Sequence, residues 1–316
     1  MKSRELGNSR LRLTELGFGA APIGNLFQSV RHEDALEAVE TAWDLGVRYF
    51  DAAPYYGLGL AEDRLGEVLA NKASDSYVIS TKVGRRLVEQ DATFVNGLVD
   101  GQWAVSGKMS AVRDYSRDGV RTTLDSSLKR LRMDHVDIVY VHDPDDYLDQ
   151  TLRETIPALI DLRDEGVVSA IGIGTSSCST ALTLVESADV DLVMIAGRWT
   201  LADRSALPLL DRCRQLGKSV VAAGVLNSGL LAQPWPPDDA RFEYAQASAP
   251  ILELARQMAA TCNNFGVALP EAAIQFPLRN AAVSSVVVGM ATALEVKTDV
   301  THFSAHMPAR IWPELD

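Results

Sequence analysis

Eight short runs of apolar and β-branched residues recur along the chain, and their repetition restricts the fold more than any other feature. They occupy residues 16–19, 47–50, 77–80, 136–141, 168–173, 192–195, 219–222 and 285–288. Each is too short for a helix and lacks strict alternation, as expected of strands buried on both faces. Between them lie amphipathic segments. Residues 32–45 place Ala35, Leu36, Val39, Ala42 and Trp43 on one face, and residues 118–131 place Val120, Leu124, Ser127, Leu128 and Leu131 likewise. Residues 152–164, 179–187, 202–215 and 250–263 read the same way, with Gly46, Gly166 and Gly217 standing where helix ends want a left-handed residue. Strand–helix alternation repeated eight times predicts an α/β fold with a parallel sheet, and eight strands close into a (β/α)8 TIM barrel. An open doubly wound sheet is the alternative. Against it, Gly17-Phe18-Gly19 lacks the third glycine of a dinucleotide-binding turn.

At 316 residues the chain has the usual length of one barrel, and no biased linker or charge block divides it, so a single domain over residues 1–316 is expected. A formal net charge of -12 argues against a nucleic-acid partner, which needs clustered Lys and Arg. Cys178, Cys213 and Cys262 are far apart and form neither a disulfide framework nor a metal knuckle. The N-terminus lacks a signal-type apolar region, and no stretch approaches a membrane span. These features predict a cytoplasmic protein, monomer or homodimer, that meets a small molecule and no membrane.

On a barrel, chemistry belongs at the C-terminal ends of the strands. The second strand runs into Asp51-Ala52-Ala53-Pro54-Tyr55-Tyr56-Gly57, the third into Thr81-Lys82, and the fourth into His142-Asp143-Pro144-Asp145-Asp146. An Asp, a Tyr, a Lys and a His at consecutive strand ends can converge on one rim as a proton-transfer set. Hydride transfer to a carbonyl leaves an oxyanion that needs a proton, and the reverse reaction needs a base. A phenol is a weak base near neutrality unless a neighbouring ammonium stabilises its anion. Lys82 is the candidate cation, Asp51 would keep it charged, and His142 would hydrogen-bond the substrate oxygen. Taken singly each has a plainer reading: Asp51 as a helix cap, Lys82 as a solvated charge, His142 as a core histidine, Tyr56 as a loop aromatic. His32, His135, His302 and His306 have no such company, and His302/His306 lack the glutamate and third ligand of a metal site, so no metal is expected.

Two loops are long: residues 84–116, with Phe94, Trp103 and Tyr115, and residues 224–247, with Pro234-Trp235-Pro236-Pro237. Long aromatic loops on a barrel can wall a pocket. Trp103 and Asp143 join Tyr56 and His142 as candidate substrate contacts.

The combination of Asp51-Ala52-Ala53-Pro54-Tyr55-Tyr56-Gly57, Glu62-x-x-Leu65-Gly66, Ser80-Thr81-Lys82 and His142 resembles the aldo-keto reductase superfamily over about residues 13–299. The resemblance implies nicotinamide-dependent hydride transfer, with Tyr56 as general acid/base and Asp51, Lys82 and His142 as its partners. Where members usually carry Ser-Asn after the fifth strand, this chain has Gly174-Thr175; Ala196 falls where a Gln is usual. Ala223 or Gly224 replaces the aromatic that stacks on nicotinamide, and the resemblance leaves some of that stacking to Trp199. These departures, with Leu226-Asn227-Ser228-Gly229-Leu230-Leu231, resemble the aldose 1-dehydrogenase branch, whose members oxidise a hydroxyl, often the anomeric one of a sugar, to a lactone. L-fucose, D-arabinose and L-galactose are the expected kinds of substrate, and pyridoxal as its hemiacetal is the alternative. A non-catalytic nicotinamide-binding regulatory barrel is the reading from another class.

The same resemblance places the cofactor against Gly19, Ala20, Thr175, Arg198, Trp199, the turn Leu226-Asn227-Ser228-Gly229-Leu230, and Gly289, Met290, Thr292 and Asp299. The amides of that turn would face the pyrophosphate, and the helix after Gly289 would offer its N-terminus to the adenosine phosphate. Glu295 falls where NADP-dependent members carry an Arg for the 2′-phosphate, which predicts NAD over NADP; Lys297, one turn away, is the competing feature.

Overall fold

The computed structural model describes residues 1–7, 9 and 11–316. Eight parallel strands form a closed barrel: β1 (Leu16–Gly19), β2 (Tyr49–Asp51), β3 (Val78–Val83), β4 (Val136–His142), β5 (Val168–Thr175), β6 (Leu192–Ala196), β7 (Ser219–Ala223) and β8 (Val283–Gly289). Neighbours in sequence are neighbours in space, and β8 closes the ring on β1 through Val286↔Leu16 to Gly289↔Gly19. No register step opens an edge, so the doubly wound alternative is excluded.

The unpatterned apolar runs have a simple cause: each strand is buried on both faces. Phe50, Ile79, Val139, Val141, Ile171, Ile173 and Val193 point outward into the layer beneath the helices. Tyr49, Val78, Ile138, Tyr140, Ala170, Leu192, Met194 and Val221 point inward and fill the barrel, joined by Leu6 and Leu13 from the N-terminal ribbon Ser3–Glu5/Arg12–Thr14. Because side chains alternate along a strand, the inward parity of Tyr49 carries to Asp51. That of Val78 carries to Ser80 and Lys82, and that of Ile138 to Tyr140 and His142. Parity therefore delivers three of the four candidate catalytic groups to the barrel axis.

Boundaries moved where hydrogen bonding overrode pattern. Residues 47 and 48 precede the β2 ladder, because the Arg48 amide donates to Thr14 Oγ1 instead. The helix expected over 152–164 is regular only at Ile156–Asp164; a wide π-type turn at Thr151–Thr155 precedes it. Pro157 has no amide hydrogen to give the preceding turn. The helix expected over 202–215 begins at Leu207, since Asp203 Oδ1 accepts from the Ser205 amide and fixes a turn there. Helices Leu60–Leu69 and Leu269–Gln275 carry short patterns that the sequence reading did not separate from loop. In the first, Gly66 allows close packing: a Cβ there would lie 2.5 Å from the Arg130 carbonyl oxygen. No helix among the described residues is long and apolar enough to cross a membrane.

The 84–116 loop is an antiparallel ribbon, Arg85–Glu89 with Met109–Arg113, whose far end folds back and buries Trp103. The 224–247 loop ends in a small ribbon, Arg241–Phe242 with Ala245–Gln246, that carries exposed Tyr244 to 6.0 Å from the Phe27 ring. Both stand over the C-terminal mouth.

Candidate active site

Lys82 is the centre of the mouth. Its ammonium donates to Asp51 Oδ1 at 2.8 Å, Asp51 Oδ2 at 2.7 Å and the Ala52 carbonyl at 2.8 Å. Both side chains of the pair are nearly inaccessible, at 2% and 3%. A buried ion pair of this kind survives only when its remaining donors and acceptors are satisfied. Here Ser80 Oγ adds a 2.7 Å hydrogen bond to Asp51 Oδ1. Burial pushes the Asp51 carboxyl upward, while Lys82 and Ser80 oppose it.

Tyr56, on the loop after β2, lays its ring over Lys82 with the nitrogen 4.7 Å from the ring centroid. The His142 ring stands edge-on to it, centroids 5.9 Å apart at 87°. Trp103 closes another side, 5.9 Å from Tyr56 and 5.4 Å from Tyr55, edge-on to the latter. The four candidate catalytic residues do come together. The electrostatics differ from the expectation that the ammonium draws the phenol down. Burial raises the Tyr56 phenol well above its ordinary value, and the Asp51 carboxylate adds to this; Arg85 pulls the other way. The Asp51 carboxylate paired with Lys82 opposes the field of that cation at the phenol. Tyr56 thus rests as a protonated acid. His142 is held well below the ordinary histidine range by burial and then by Arg85, Lys82 and Arg113, so it is neutral.

Arg85 was not legible in the sequence. It follows Gly84, whose φ of +101° turns the chain out of β3, and it donates to Asp143 Oδ2 at 2.5 Å while lying over the Tyr55 ring. Asp143 itself has φ +46°. Its carbonyl accepts from Tyr115 Oη at 2.7 Å and from Arg113 at 2.8 Å, which holds this left-handed turn in place. Asp145, two residues on, takes hydrogen bonds from Thr175 and Thr180. Glu62 is structural, binding Thr81 Oγ1 at 2.5 Å and Arg130 at 2.7 Å while fully buried.

The profile of the aldo/keto reductase family matches residues 15–316. The chain belongs to the aldo/keto reductase family. It is 43% identical to the D-threo-aldose 1-dehydrogenase of a Pseudomonas species, covering 96% of this chain and 94% of that one. It is 35% identical to pyridoxal 4-dehydrogenase of Microbacterium luteolum, covering 99% and 96%, and 33% identical to L-galactose dehydrogenase of Arabidopsis thaliana, covering 94% and 86%. A solved aldo-keto reductase from Bacillus halodurans, in its holo form, superposes with a TM-score of 0.79 at 24% identity, covering 100% of this chain and 95% of that one, which shows the shared fold. This aldo/keto reductase is accordingly an oxidoreductase acting on CH–OH groups, in a family that uses nicotinamide cofactors.

The rim between β5 and β8 fits such a cofactor, although several expected contacts fall elsewhere. A Cβ at Gly197 or Gly229 would meet nothing within 4 Å, so the backbone there is open to a ligand, and Asn227 Oδ1 is buried with no partner. Arg198 stands beside them, held by the Ser176 carbonyl and by Asp203 and Glu243. Gly289, Ser228 and Thr292 are reachable, whereas Ala20, Leu230 and Met290 are fully buried. Trp199 cannot stack on nicotinamide: its indole is buried against Phe276, centroids 5.3 Å apart, and donates to the Pro277 carbonyl at 3.2 Å. Thr175 Oγ1 is engaged with Asp145 and the Ser177 amide. In the turn, the amides of Asn227, Gly229, Leu230 and Leu231 bond to the carbonyls of Gly224, Leu226, Asn227 and Leu226, which corrects the expectation that they face a phosphate. Glu295 Oε2 accepts from the Ala291 amide at 2.6 Å, while Thr292 Oγ1 caps the helix Ala293–Ser304 by accepting from the Glu295 amide. Near them Asp299 is raised to about 7, by burial first and Glu295 second.

Proposed function

We propose that this enzyme oxidises the anomeric hydroxyl of an aldose of the L-fucose or D-threo-aldose type to the lactone, with Tyr56 as general acid/base and NAD preferred over NADP. The meeting of Asp51, Tyr56, Lys82 and His142 at one mouth carries the reading, and the identity to a D-threo-aldose 1-dehydrogenase supports the substrate class. A nicotinamide cofactor bound at the rim between β5 and β8 would supply the hydride acceptor for the carbon that bears the hydroxyl. The chain's residues manage the proton. In oxidation Tyr56 first loses its own proton to solvent and, as the phenolate, takes the hydroxyl proton; in reduction the neutral phenol gives that proton to the substrate oxygen. Neutral His142 hydrogen-bonds the substrate oxygen. Asp143, oriented by Arg85, accepts from a neighbouring sugar hydroxyl, and Trp103 supplies an apolar wall.

Arg198 and Ser228 would hold the pyrophosphate over the open backbone at Gly229, and Gly289, Thr292 and Asp299 the adenosine end. Glu295 supports the NAD preference, because a carboxylate already sits at that helix N-terminus and repels a phosphate dianion beside it. Pyridoxal oxidation is the second reading, favoured by the aromatic corner of Tyr55 and Trp103 and by the 35% identity to pyridoxal 4-dehydrogenase. The deciding experiment is a panel of L-fucose, D-arabinose, L-galactose and pyridoxal with NAD or NADP, followed by NADH or NADPH absorbance. Turnover of an aldose that is lost in Tyr56→Phe supports the proposal. Cofactor binding without turnover of any of the four would favour a non-catalytic barrel.

A further inference from the structure

Below the Asp51–Lys82 pair, the barrel interior holds a polar thread. Tyr140 Oη lies 2.9 Å from Tyr49 Oη, Tyr49 Oη lies 3.2 Å from Ser80 Oγ, and Ser80 Oγ lies 2.7 Å from Asp51 Oδ1. Tyr49, Tyr140 and Ser80 are fully buried. Room for the two phenols was made deliberately by glycine: a Cβ on Gly17 would lie 2.7 Å from Tyr49 Cδ1, and one on Gly172 would collide with the Tyr140 ring. Apolar packing alone would be better served by Phe at both positions, since each buried hydroxyl must find a partner.

Proton counting fixes the direction of the thread. The single Ser80 proton goes to the carboxylate, its shortest and only charged acceptor, so Ser80 Oγ must accept from Tyr49, and Tyr49 in turn from Tyr140. All three hydroxyls therefore donate toward Asp51, and each bond polarises the next. The groups that face Asp51 are Lys82 and Ser80 from β3, Tyr49 from β2, Tyr140 from β4 and Tyr56 from the loop above; His142, Arg85 and Asp143 lie beyond Tyr56.

We propose that Ser80, Tyr49 and Tyr140 are positioning residues, a one-way donor chain that keeps the buried Asp51 ionised and thereby holds Lys82 charged beneath Tyr56. The proposal rests on the reading of Tyr56 and Lys82 given above. Cutting the chain leaves the carboxylate less supported, so its proton binds at higher pH. Turnover then falls on the acid side, while substrate contacts at the mouth are untouched.

The test uses the full chain with NAD and whichever panel aldose it oxidises. Ser80→Ala is expected to lower kcat about tenfold, the size of one hydrogen bond to a charged group, with KM unchanged and the acid limb of kcat moved to higher pH. Tyr49→Phe, which removes one oxygen, should lower kcat about threefold, and Ser80→Thr should restore the limb. A readout independent of turnover is the infrared band of the protonated Asp51 carboxyl, identified by its loss in Asp51→Asn, which should appear at higher pH in Ser80→Ala than in wild type. The proposal is overturned if Ser80→Ala and Tyr49→Phe keep the wild-type limb and band, even if their melting temperatures fall, while Tyr56→Phe is inactive. Full turnover in Tyr56→Phe overturns the reading of the site and this proposal together.

Discussion

The Lys82 nitrogen lies 4.7 Å from the centroid of the Tyr56 ring, yet all three of its N–H donors go to Asp51 and Ala52. The cation acts on the phenol through space, against the Asp51 carboxylate that cancels much of its field. With burial added, Tyr56 holds its proton at neutrality.

For catalysis this means that oxidation should quicken as pH rises through the alkaline range, because the general base is the ionised phenol. Reduction, in which Tyr56 gives a proton, should not require that rise. Tyr56→Phe should lower kcat in both directions by about 100-fold or more. Steady-state pH profiles of the two directions check this; an oxidation rate flat from neutral to alkaline pH would contradict it.

Breaking the buried pair from one side should be costly. Lys82→Met leaves Asp51 without its cation and should destabilise the fold by about 3–5 kcal/mol. Adding Asp51→Asn removes the orphan charge and should recover a large part of that loss without recovering turnover. Denaturant melts of wild type and the two variants read the stability, and a double variant no more stable than Lys82→Met would refute the assignment of the cost to charge.

Cofactor preference should follow Glu295. Replacing it with Gln removes the charge at the N-terminus of helix Ala293–Ser304 while keeping an acceptor for the Ala291 amide. The ratio of kcat/KM for NAD over NADP should fall by about tenfold. Glu295→Arg should lower it further; an unchanged ratio in both would show that the 2′-position is read elsewhere.

Asp299 offers a stability test with a definite sign. Its carboxyl is raised to about 7 by burial and by Glu295. Below the unfolded-state value both states are protonated and the shift contributes nothing. Between there and about 7 the unfolded chain has released a proton that the folded chain retains, so stability falls as pH rises, by up to about 1.4 kcal/mol per unit. Asp299→Asn should therefore melt higher than wild type at pH 8 and nearly level with it at pH 4. Equal gains at both pH values would remove the electrostatic cause.

Trp199→Phe separates core from site. It loses the hydrogen bond to the Pro277 carbonyl and should cost about 1–3 kcal/mol of stability, with KM for the nicotinamide cofactor unchanged. A large rise in that KM would return Trp199 to the cofactor site.

The sequence by itself determined the barrel and its reactive rim. Eight buried runs separated by amphipathic segments leave few other closed solutions, and Asp51, Lys82 and His142 sit at strand ends where side-chain alternation must turn them inward. Tertiary structure alone decided what those groups experience. Ring closure brought Tyr49, Tyr140 and Ser80 from three strands into one hydrogen-bonded line, and loop folding set Arg85 on Asp143 and buried Trp199 away from the cofactor rim. Local pattern records which face a residue takes; desolvation, charge and partnership depend on groups distant in sequence, and these set the protonation of Tyr56.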